Sequence, residues 1–76
     1  MEELRSETQL TQMLLNRLER ISADSYWAHR ASGVRGALLR MLEKIEGGYQ
    51  IPISELKQMA EMGYFILEKA AEEKYR

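Results

Sequence analysis

The sequence predicts an all-α fold, either an antiparallel three-helix bundle or a long helical hairpin with a shorter leading helix, which dimerisation could complete. Three observations predict it. Apolar residues recur at steps of three and four over three long stretches, the period of amphipathic helices. Two clusters with turn chemistry, Ser22-Ala23-Asp24-Ser25 and Gly47-Gly48, separate those stretches. Strand-like alternation is confined to Tyr49-Gln50-Ile51, too short a run to pair.

The first helix is expected from about Glu7 to Ile21, with Ser6 and Gln9 spaced as a capping box. Leu10, Leu14, Leu18 and Ile21 form its apolar stripe, which Leu4 and Leu15 widen on one side while Met13 and Arg17 lie toward the other. Arg17 is expected to lay its aliphatic stem on the edge of the core.

The second helix is expected from about Ser25 to Glu46, since Ser22, Asp24 and Ser25 carry the short polar side chains that cap helix N-termini. Trp27, Ala31, Val34, Leu38, Met41 and Ile45 alternate at steps of four and three, a coiled-coil-like seam. Ala28, Ala37, Leu39 and Leu42 broaden the apolar arc, as in a helix that touches two neighbours. Gly47-Gly48 should stop it, because glycine takes the left-handed conformation used just past a helix end.

The third helix is expected from about Glu55 to Lys74, with Pro52 favouring an extended residue before it and Ser54 as its cap. Leu56, Met59, Ala60, Gly63, Ile66, Leu67, Ala70 and Ala71 share one face; the other is mostly charged. The final EEKYR has little to bury and is expected to fray.

Residues 1–76 fit one domain, and a fold of this size hides only about 60% of the surface its unfolded chain exposes. Such folds draw on disulfides, a metal, oligomerisation or very regular helix packing. The chain has no cysteine and one histidine, which removes disulfides and the usual zinc sets and leaves association or regular packing. Apolar residues make up 45% and charged residues 30%, a balance that argues against disorder. The net charge of −1, with both signs interspersed, creates no long-range field for nucleic acid or an anionic membrane. The charged start MEELRSETQL lacks the apolar core of a signal peptide, so a cytoplasmic location is the default expectation, with no membrane partner.

His29, Gly33, Gly36 and Arg40, spaced four, three and four, share a face of the second helix nearly opposite its seam. A glycine inside a helix costs roughly 1 kcal/mol relative to alanine, so two within a turn call for a packing or binding advantage. Either they admit a large side chain from the domain's own helices, or they let another helix approach. Met62 and Phe65 fall off the main stripe of the third helix, with Tyr64 at its edge, and with Leu15 or Leu39 could form a second contact face. The competing expectation is that Tyr49, Ile51 and Ile53 fold back over them. His29, Gly33, Gly36, Arg40, Met62 and Phe65 are thus the candidate interface, and the expected partner is a second copy or another protein.

An alternative is a small nucleic-acid- or anion-binding regulator in which His29, Arg35 and Arg40 contact phosphate. Against nucleic acid, Arg30 and Arg35 project to opposite edges of the apolar arc, and the other helices bring acids. His29 is the one imidazole, yet no nucleophile, base and orienting group stand at a spacing that assembles them. No enzymatic activity, cofactor or metal is expected.

Overall fold

A computed structural model describes residues 2–74 and contains three helices: α1, Glu2–Glu19; α2, Ala28–Glu46; and α3, Ile53–Lys74. All three pairs of helices pack against each other and α1 is nearly as long as α2, which selects the three-helix bundle over a long hairpin with a shorter leading helix. Side-chain bridges give the directions. Glu3 reaches Lys57 at 3.2 Å, so α1 and α3 run parallel; Glu73 reaches the Tyr26 amide at 3.2 Å, so α2 returns antiparallel to α3. The result is a rod of 42 × 18 × 16 Å.

Each helix starts away from its predicted residue, for a local reason. α1 begins at Glu2 rather than Glu7, which leaves Ser6 on an exposed helical surface instead of at a cap. Leu4 lies seven residues before Thr11 and fourteen before Leu18, in phase with the buried face, and it packs partly against the core. That contact carries the helix past the capping-box residues. Its last turn tightens where the Arg20 amide bonds the Arg17 carbonyl and Ile21 the Leu18 carbonyl, so it closes at Glu19.

α2 begins at Ala28 rather than Ser25, because Ser25 serves a turn that precedes the helix. The Ser25 hydroxyl accepts from the Trp27 amide at 3.1 Å, and its carbonyl accepts from the Ala28 amide. The Tyr26 amide is satisfied from α3, where both Glu73 carboxylate oxygens lie at 3.2 Å. α3 begins at Ile53 because the Pro52 carbonyl, not the Ser54 hydroxyl, closes its first turn by accepting from the Glu55 amide at 3.0 Å. The helix runs through Glu72, Glu73 and Lys74, and Glu73 is half-buried with its carboxylate on the Tyr26 amide. Tyr75 and Arg76 lie outside the described residues.

The end of α2 follows the predicted chemistry. The Tyr49 amide bonds back to the Lys44 carbonyl at 2.9 Å and the Gly48 amide to Ile45 at 3.1 Å, the paired bonds of a Schellman motif. Gly48 has φ +88°, the conformation for which glycine is needed.

The core runs along the axis: Leu14, Leu15 and Leu18 from α1, Ala31, Leu38 and Leu42 from α2, and Leu56, Ala60 and Ile66 from α3. Trp27, Val34, Met41 and Ile45 of the predicted α2 seam are half-buried against it. On α1 the buried face is rotated from the predicted stripe. Leu10 is 47% exposed while Thr11 is buried, since α1 lies in the groove between its two neighbours and centres its arc on Thr11 and Leu18. The Thr11 hydroxyl donates to the Glu7 carbonyl at 2.7 Å, so it is buried without an unmet hydrogen bond. No described helix is long and apolar enough to cross a membrane.

Candidate interaction face

Gly33 and Gly36 look away from the core. No atom lies within 4 Å of where a Cβ at Gly33 would stand, so it receives no side chain from its own bundle. At Gly36 the nearest neighbour is Arg40, whose guanidinium folds back one turn to within 3.5 Å of that position and half-covers it. The glycine that admits a large side chain is Gly63 of α3. A Cβ there would stand 2.9 Å from Leu14 Cδ2, so α1 and α3 approach through a missing methyl.

His29 and Arg40 are exposed on the same side as the two glycines. Eleven residues separate them, roughly 16 Å along a helix axis. Arg35 is not brought to them. It turns toward α1, where its guanidinium meets Glu19 at 3.3 Å, so the three residues of the anion-binding alternative do not converge.

Set against protein-family models, curated proteins and solved structures, the chain matches none.

Met62 and Phe65, at 47% and 45% exposure, lie on the flank of α3 nearest α2. Phe65 stands edge-on to Trp27 with ring centroids 5.9 Å apart, and Trp27 stands edge-on to Tyr26 at 5.5 Å. Arg30 covers the Trp27 ring at 5.4 Å and Lys69 covers Phe65 at 5.5 Å. The aromatic row therefore crosses from the start of α2 onto α3 with a cation at each side. Tyr49 is exposed at the α2–α3 turn, at the opposite end of the rod from Trp27, and neither it nor the half-buried Ile51 and Ile53 covers the patch.

The other proposed contributors divide. Leu15 is buried in the core and offers no contact area; Leu39 is 40% exposed but lines the α1–α2 groove, away from Met62. Leu10 and Tyr64, exposed together over a groove of about 200 Å³ between α1 and α3, form a second, smaller apolar strip. Spacing puts Leu10 on the α1 stripe with Leu14 and Leu18, and the strip opens only because the buried face turns toward Thr11 instead. A third concavity of about 470 Å³, floored by Ile21, Leu67, Ala70 and Ala71, lies between the ends of α1 and α3 with exposed Arg17 on its rim.

Proposed function

We propose that this chain is a cytoplasmic, helix-mediated interaction module without catalytic activity, and that it self-associates as a homodimer through the α2–α3 face. The observation that carries this reading is the pairing of Trp27 with Phe65 beside Met62, an apolar row left half-open on one side of the rod. Aromatic and methionine side chains supply contact area at interfaces. The exposed backbone at Gly33 permits a close approach beside them. His29 and Arg40 form the polar rim.

Light scattering coupled to size exclusion, over a wide concentration range, tests it. The chain should pass from one protomer toward two, and a strict monomer at high micromolar concentration would end the homodimer reading. Met62→Lys sets a charge in the middle of the patch and should weaken association about tenfold or more. Because Met62 is already half in water, the protomer's own stability should change by no more than about 1 kcal/mol.

A further inference from the structure

We infer that the cavity between the ends of α1 and α3 binds a small single-chain amphiphile with an anionic head, of the class of an aliphatic monocarboxylate. The site is separate from the α2–α3 face and does not rest on the self-association reading.

The sequence makes this cavity from both helices. Leu67, Ala70, Ala71 and Lys74 recur at helical spacing and share one face of α3, which after Leu67 narrows to two alanines before the terminal cation. On α1, Arg17 and Ile21 stand one turn apart, and the tightened end of the helix sends the chain off through Ser22 and Asp24, which join the lining. The space left is about 470 Å³, within the roughly 300–1,000 Å³ of small-molecule sites.

Charge selects the ligand. Arg17, Arg20 and Lys74 line the cavity and are exposed, and among the described residues none is held in an ion pair. Two acids line it as well. Glu73 has both carboxylate oxygens on the Tyr26 amide, and Asp24 is exposed on the linker. Three cations against two acids, one of them engaged, leave a positive lining around an apolar floor. Arg17 and Arg20 are three residues apart and therefore neighbours on the helix surface, so one carboxylate can accept charge-assisted hydrogen bonds from both. Its aliphatic chain then covers Ile21, Leu67 and the alanines and removes their surface from water.

Decanoate, kept below its micelle-forming concentration, tests this by calorimetry and by nuclear magnetic resonance of the side-chain methyl groups. It should bind saturably with a Kd on the order of 100 µM, as expected for roughly a dozen non-hydrogen atoms. The shifted methyls should be those of Ile21, Leu67, Ala70 and Ala71. Octanoate, shorter by two methylenes, should bind about tenfold more weakly. Decyltrimethylammonium has the same chain with a cationic head and should also lose about tenfold or more. Arg17→Gln combined with Arg20→Gln should cost decanoate about tenfold without weakening decyltrimethylammonium. If that variant loses its helical circular dichroism, the chain-length and head-group series on the unmodified protein decides the matter. No saturable binding of decanoate by about 2 mM would overturn the proposal. So would equal affinity for the two head groups, or shifts centred on Met62 instead. Adsorption to anionic phospholipid vesicles without a response to monomeric decanoate would assign the cations to a membrane surface, and likewise overturn it. Failure on any of these counts leaves self-association standing, and a strictly monomeric chain leaves this site standing.

Discussion

At Gly63 the α3 backbone comes so near Leu14 that a methyl group would stand 2.9 Å from a leucine carbon already sealed in the core. Gly63→Ala should therefore destabilise the fold by about 1–3 kcal/mol, the usual cost of forcing extra volume into a packed interior. Gly33→Ala meets open space and should stabilise the protomer by up to about 1 kcal/mol, because alanine loses less backbone freedom on entering a helix. Urea denaturation at low protein concentration, where association does not contribute, checks both signs. Gly48→Ala belongs with Gly63 but for a different reason. Its φ of +88° strains any residue with a Cβ, and a loss of about 1–2 kcal/mol is expected. Composition and spacing singled out Gly33 and Gly36, since two glycines in one helical turn are conspicuous. Gly63 fell on the predicted apolar face, where a small residue looks like any other buried position until the neighbouring leucine is known.

The turn before α2 is held from the far end of the chain. The Glu73 carboxylate accepts from the Tyr26 amide, one residue before the N-cap Trp27, whose own side chain caps nothing. Glu73→Ala should cost about 0.5–1.5 kcal/mol, in line with loss of a helix cap at an exposed site, and should loosen the α2 start before the rest of the bundle. Hydrogen exchange at Tyr26 to Arg30 would reveal it, and unchanged protection there would exclude the staple. This bond spans 47 residues, so no local rule predicts it. The elements themselves were legible: the seam from Trp27 to Ile45 kept its register, and Gly47-Gly48 marked the end of α2. The first helix was harder. Its leucines suggested a face through Leu10, and only the presence of two neighbours explains why Thr11, a poorer apolar residue, occupies the centre while Leu10 does not. The candidate face was legible as Met62 and Phe65 falling off their stripe, but their aromatic tie to Trp27 depends on how α2 and α3 align.

A rod 42 Å long and at most 18 Å across has only a narrow line of enclosed side chains, and most of its residues keep contact with water. Stability in such a shape is sensitive to anything that covers one flank. If the α2–α3 face binds a second copy, folding and association are linked, and the melting temperature must rise with protein concentration by mass action. For a chain of this size the rise should be on the order of a few degrees per tenfold increase where the dimer is populated, given the modest unfolding enthalpy of a small domain. A chain that does not associate would melt at one temperature at every concentration. Met62→Lys should flatten the slope, and it should do so without moving the low-concentration melting temperature much, since the substituted side chain is already half-exposed. Gly63→Ala should do the reverse, lowering the melting temperature across the whole range because its damage lies within the protomer. Calorimetric scans of the three proteins from about 5 to about 500 µM would separate stability held inside the bundle from stability supplied across its open side.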